Sequence, residues 1–200
     1  MSRPEKIVNE IVAKMQECGL GMRRKTVELS GHNNLWATAF LWLKDKIKGR
    51  LGDSCIYRVE HFGSTSIPGI AAKPALDVML IFNSLSDLQP AIRSFEELGF
   101  IYKGDAVGKL NQAALEPDRH FFSFYDLGES IDYIHLHVFV DGHPDVKRNL
   151  GFRDILRKNI SLAEEYAQIK HQLKDQGLSR QDYTRTKSAF ISRVVSDHGK

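Results

Sequence analysis

The sequence predicts an α/β (α+β) fold, a mixed β-sheet packed with helices and followed by further C-terminal helices, and three patterns in its 200 residues carry that reading. Apolar residues recur at helical spacing near both ends, residues 75–82 form a short apolar run between turn formers, and residues 132–140 alternate along their length. The first pattern marks amphipathic helices, the second a buried central strand and the third a strand with two unlike faces. Their order along the chain, helix, strand, strand, helix, strand, strand, then helices, suits a mixed sheet with helices against it.

Ile7, Ile11, Val12 and Met15 place a first helix over residues 4–17, ended by Gly19 and Gly21. Trp36, Phe40, Leu43 and Ile47 lie on one face of a second helix that Gly49 and Gly52 should stop, and both Trp36 and Trp42 read as core. A strand follows over 55–62, then a loop over 63–74 rich in glycine, proline and small hydroxyl residues. After the 75–82 strand, residues 85–98 read as a crossover helix with Gly99 as its C-cap, and residues 103–118 as a mobile loop. Strands over 120–125 and 132–140 flank a turn near Gly128. In the second, Tyr133, His135, His137 and Phe139 share one face, and Ile134, Leu136, Val138 and Val140 share an aliphatic face that should bury. Helices over 144–157, 161–175 and 180–196 complete the chain; the last opens with Ser179-x-x-Asp182, a capping pattern.

Composition narrows the function classes. Apolar residues make up 42% and charged residues 26%, which excludes disordered and low-complexity chains. With no internal repeat and no linker of Ser, Pro and Gly, residues 1–200 read as one domain. The longest apolar stretches, 35–43 and 75–82, fall far short of the roughly 18 residues that cross a bilayer. Glu5, Lys6 and Glu10 interrupt the N-terminal apolar residues, so no secretory signal is expected, and Cys18 and Cys55 build neither a disulfide scaffold nor a four-cysteine zinc site. A cytoplasmic protein without membrane contact is expected. Net charge is +5 over 1–50, −8 over 51–146 and +6 over 147–200, summing to +3. Basic ends around an acidic middle suit a phosphate-rich ligand as well as two solvated helical ends, and the absence of a polybasic run with aromatics argues against nucleic acid.

The chemistry concentrates in residues 60–77. Gly63, directly after a strand, lets the backbone approach a ligand, and the hydroxyls of Ser64, Thr65 and Ser66 are donors for phosphate oxygens. Asp77 puts a carboxylate into an otherwise apolar strand, which is costly unless a cation, metal or water meets it. His135 and His137 on one strand face, with His61 before the loop, are candidate ligands of a divalent ion such as Zn²⁺, Mn²⁺ or Ni²⁺, or candidate phosphate contacts; His120 reads as ordinary packing. Lys73, Arg119, Arg153 and Lys187 are candidate phosphate-binding cations, with stem burial under a solvated head as the simpler account of any one of them.

HFGSTSIPGIAAKPALDVML, with IHLHVF, GFRDILR, the helix around Tyr166 to Lys170 and YTRTKSAFI in that order, resembles the GrpB family over roughly residues 30–195. That family resembles the nucleotidyltransferase superfamily, and the resemblance implies a nucleotidyltransferase-like fold. It also implies a Gly-Ser turn followed by a strand whose carboxylates, Asp-x-Asp or Asp-x-Glu, act with a third carboxylate to hold two divalent ions, Mg²⁺ or Mn²⁺. Gly63, Ser64 and Asp77 match. Met79 stands where the second carboxylate belongs, and His135 and His137 stand where the third is expected, so the metal, Zn²⁺ included, is the point of departure. The first functional expectation is a nucleoside triphosphate bound on the Gly63-Ser64 turn, with Asp77 catalytic and a nucleotidyl group transferred to an acceptor. The alternative, motivated by Met79, is a silent nucleotide-binding or scaffold module, as in the similar segment fused behind dephospho-CoA kinase in some proteins. A metal hydrolase centred on His135 and His137 is the third.

Overall fold

The computed structural model describes residues 4–24, 26, 28–52, 58–104, 119–126, 128, 130–176 and 180–198. Cys55, the 105–118 part of the expected loop and the Ser179 cap lie outside the described residues, as does the side chain of Tyr183. The elements are α1 (Glu5–Glu17), β1 (Met22–Arg23), α2 (Leu35–Leu51), β2 (Arg58–Phe62), a 3₁₀ turn (Ser64–Ser66), β3 (Leu76–Phe82), α3 (Leu85–Glu97), β4 (Ile101–Tyr102), β5 (Arg119–Asp126), β6 (Ile131–Val140), α4 (Pro144–Lys158), α5 (Ile160–Asp175) and α6 (Arg180–His198). Helix α2 runs through Gly49 and stops at Gly52, whose φ of 71° is open to glycine at little cost. Strands β1 and β4, two residues each, carry no readable alternation and were not expected.

The sheet is mixed, as the element order implies. Its order is β2-β3-β6-β5-β4, with β1 paired to the start of β6; β3 and β6 are parallel and the other pairs antiparallel. One face carries Val59, Val78, Leu80, Leu136 and Val138, and α1, α2 and α3 bury it with Ile11, Met15, Trp36, Leu43 and Phe95. Trp42 is only partly buried beside that core. The other face carries Phe62, Met79, Ile81 and Phe139, packed on Val146 and Leu150 of α4. Beyond it α4, α5 and α6 share a second core of Phe152, Leu156, Tyr166, Phe190 and Val194, into which Ile67 and Ile70 of the 63–74 loop insert. That loop is therefore held between sheet and helices.

One expected alternation breaks. Phe124 pairs with Ile134 and Tyr125 with Asp132, so β6 carries Tyr133 as an extra residue. A bulge of this kind reverses the side-chain phase. Tyr133 leaves the face of His135 and His137, joins the core under α1, and its hydroxyl accepts from Gln16 at 2.9 Å.

Candidate functional site

Asp77 is the second residue of β3, and pairing decides its surroundings. Register with β6 sets Asp77 beside His135 and Met79 beside His137, while register with β2 sets Phe62 beside Asp77. Paired residues share a sheet face, so the carboxylate and both imidazoles emerge together. His135 Nδ1 lies 3.3 Å from Asp77 Oδ1. His137 Nε2 is 3.8 Å from the same oxygen, too far for a hydrogen bond and within ion-pair range. Burial acts to raise the Asp77 pKa, but the two imidazoles outweigh it and hold the carboxyl below the usual carboxylate range. His137 packs edge-on to Phe62 and Phe121, 5.1 Å from each ring centre. Lost solvation lowers its pKa against the pull of Asp77, with His135 and Arg119 adding to the shift.

The Gly-Ser turn lies directly against this group. Gly63 has φ of 69°, and a Cβ placed there would stand 2.4 Å from Asp77 Oδ2. Only glycine permits both that backbone conformation and that approach. Above the turn opens a cleft of about 240 Å³, lined on the sheet side by Gly63, Ser64, Asp77 and His137. Its other walls come from Arg119, from Asp145, Arg148, Asn149 and Phe152 of α4, from Tyr166 of α5 and from Lys187 and Ser188 of α6. Asp145 bridges Arg119 and Arg148, at 3.2 and 2.9 Å. Three cations and two carboxylates thus face one space, an excess of one positive charge.

Six of the expected residues meet here: Gly63, Ser64, Asp77, His137, Arg119 and Lys187. His135 supports Asp77 from beside it. The others turn elsewhere. His61 pairs with Val78, so it faces the opposite side of the sheet, stacks on Phe40 at 4.9 Å and meets the Thr65 hydroxyl at 2.9 Å. It cannot join a ligand set with Asp77. Thr65 is thereby occupied and buried, and the buried Ser66 hydroxyl donates to the Gly63 carbonyl at 2.7 Å, so neither is offered to phosphate. Arg153 bonds Glu60 at 2.9 Å and the His61 carbonyl at 2.8 Å, behind the turn. Lys73, half-buried, is not among the residues lining the cleft. His120 packs as expected, against the Tyr102 hydroxyl at 2.7 Å. Arg148, Asn149 and Ser188 were missed; the spacing Asp145-x-x-Arg148-Asn149 on one helical face was the available signal.

The two-ion cage implied by the resemblance does not fit these residues. Met79 has no exposed surface and is packed among Phe62, Ile81 and Phe139, so the second-carboxylate position is apolar core. Among the described residues no group of three or more His, Cys, Asp or Glu stands in metal-holding geometry. Hard divalent ions take oxygen ligands, and here one carboxylate is joined by imidazoles already turned to it.

Residues 26–197 match the family model described as GrpB protein. The chain belongs to the GrpB family. A relative, the UPF0157 protein YqkA of Bacillus subtilis (strain 168), is 33% identical over 75% of this chain and 40% of its own length, so the chain matches less than half of that protein. The crystal structure of the conserved protein GrpB from Enterococcus faecalis superposes with a TM-score of 0.71 at 24% identity, over 86% of this chain and all of that one. Cid1 poly(U) polymerase, in a crystal structure with MgGTP bound, superposes with a TM-score of 0.50 at 13% identity, over 86% of this chain and 49% of that one. These likenesses establish a nucleotidyltransferase-like fold for this member of the GrpB family. Among the described residues no helix is long and apolar enough to cross a membrane.

Proposed function

We propose that this GrpB-family protein binds a nucleoside triphosphate, or a similarly phosphate-rich small molecule, in the cleft over Asp77. The observation that carries the reading is the abutment of the Gly63-Ser64 turn on the Asp77 carboxylate in a cleft rimmed by Arg119, Arg148 and Lys187. An ionised carboxylate repels phosphate, so the phosphates belong on the side of Ser64, Arg148 and Lys187. Asp77 then accepts from a hydroxyl of the sugar or of a second molecule, and Phe152 and Tyr166 offer apolar surface to a base. Only two cysteines in 200 residues support a cytoplasmic setting, where such ligands abound.

Isothermal calorimetry with each of the four NTPs, with and without Mn²⁺, tests the reading. Binding that weakens when Arg148 or Lys187 is replaced by Gln supports it; no heat with any NTP removes it.

Nucleotidyl transfer is the second reading, favoured by a carboxylate kept ionised beside the turn. In that reaction an acceptor oxygen bonds to the α-phosphorus, the bridge to the β-phosphate breaks and pyrophosphate leaves, while Asp77 orients the acceptor hydroxyl by accepting its hydrogen bond and the proton is released to solvent. The buried Met79 is the reason binding is placed first. Pyrophosphate release or NMP-labelled acceptor detected by mass spectrometry, lost in Asp77→Asn, would establish transfer.

A further inference from the structure

Three basic side chains bond main-chain carbonyls on either side of the Gly63-Ser64 turn that lines the cleft. Arg153 Nη1 donates to the His61 carbonyl at 2.8 Å, Arg157 Nε donates to the Ser66 carbonyl at 2.9 Å, and Lys170 Nζ donates to the Ala71 carbonyl. The first two come from α4 and the third from α5. A full charge bonded to a carbonyl is roughly twice as strong as a neutral pair, so the two arginine bonds are firm tethers.

Lys170 is the most telling of the three. It is 1% exposed, and its ammonium lies 4.7 Å from the centre of the Tyr166 ring, which also lines the cleft. Burying a lysine is costly, and the surrounding helix core of Ala163, Tyr166 and Leu173 requires no cation. Burial first, and repulsion from Lys187 second, lower its pKa to about 7. What the buried side chain accomplishes is to hold the Ala71 carbonyl. Ile67 and Ile70 meanwhile fix the same segment into the helix core by apolar contact. Ser64, facing the cleft, lies between the tethered carbonyls of His61 and Ser66.

We infer that Arg153, Arg157 and Lys170 are positioning residues: they touch no ligand but hold residues 61–71 so that Gly63 and Ser64 meet phosphate. This rests on the phosphate-binding reading of the cleft. Donors held in place before the ligand arrives bind more tightly than donors that must first be ordered.

The test uses the full chain with ATP and inorganic tripolyphosphate as probes, calorimetry for affinity and amide hydrogen exchange for the main chain of residues 62–72. Arg157→Gln should weaken tripolyphosphate binding about tenfold, the loss of one charge-assisted bond, and speed exchange in that segment without ligand. Arg157→Lys should recover most of the affinity, which a merely structural role would not require. Lys170→Met should act in the same direction. If that variant does not fold, the Arg157 pair decides alone, because the Arg157 side chain is 39% exposed. Wild-type binding with unchanged affinity in Arg157→Gln overturns the inference and leaves the cleft reading intact. Failure of the wild type to bind either probe overturns both.

Discussion

At Gly63 one missing methyl group decides whether turn and carboxylate can coexist. Gly63→Ala would force a Cβ to within 2.4 Å of Asp77 Oδ2 at a backbone φ of 69°. The variant should lose about 1–2 kcal/mol of stability from backbone strain alone and, through the displaced carboxylate and turn, at least about tenfold in nucleotide affinity. Urea unfolding and calorimetry measure the two effects separately. His61, excluded from the cleft, carries a pH prediction instead. Burial brings its pKa down to about 4 against the pull of Asp77, with Arg157 and Arg153 adding to the shift; an unfolded histidine titrates near ~6.5. Between those values the unfolded chain binds a proton that the native chain refuses, so stability falls as pH drops from about 6.5 to about 4. His61→Phe should flatten the dependence of the urea midpoint on pH across that window. Asp77 acts lower, since its folded pKa is depressed: its contribution is present above the usual carboxylate pKa and is lost in more acid solution.

For the strands, register governs the chemistry. β3 presents Asp77 at its open end and Met79 one step further in, under Val146 and Leu150 of α4. Restoring the second carboxylate by Met79→Asp therefore places a charge in a site with no exposed surface. The expected outcome is a loss of about 3 kcal/mol or more, read in denaturant, with no gain of Mn²⁺ affinity by calorimetry. Helix α4 serves two surfaces: Arg148 faces the cleft, while Arg153, five residues on, joins Glu60 of β2. Arg153→Gln should cost about 2 kcal/mol by removing charge-assisted bonds at a side chain only 11% exposed.

Over the whole molecule, the cleft exists because two cores meet across one sheet. The first fixes the sheet against α1, α2 and α3; the second joins α4, α5 and α6 and grips the loop through Ile67 and Ile70. Phe152 belongs to both concerns, being packed in the second core and lining the cleft. Phe152→Ala should cost about 3–5 kcal/mol and weaken nucleotide binding with it. Because the loop bridges the two cores, the chain should unfold in one transition, with tryptophan fluorescence from α2 and far-ultraviolet circular dichroism giving coincident midpoints.

The helices and long strands were legible because their signal is local: periods of 3.6 and 2 are set by backbone geometry and repeat within one segment. So was the pair around which the candidate site is built, since Gly63 directly follows one strand and Asp77 is the second residue of the next, both visible within eighteen residues of sequence, 60–77. Which residues face them was not local. His61 and Phe62 are neighbours, yet antiparallel register with β3 sends one to the helix core and the other to the cleft; a one-residue slip would exchange them. The bulge at Tyr133, the turn of Arg153 toward Glu60 and the tether from Lys170 to Ala71 depend in the same way on contacts between distant segments. Local periodicity and turn chemistry thus determined the elements and the Gly-Ser-Asp nucleus, while the tertiary structure decided which imidazoles and cations accompany it, because a side chain's partner is set by packing across strands and helices.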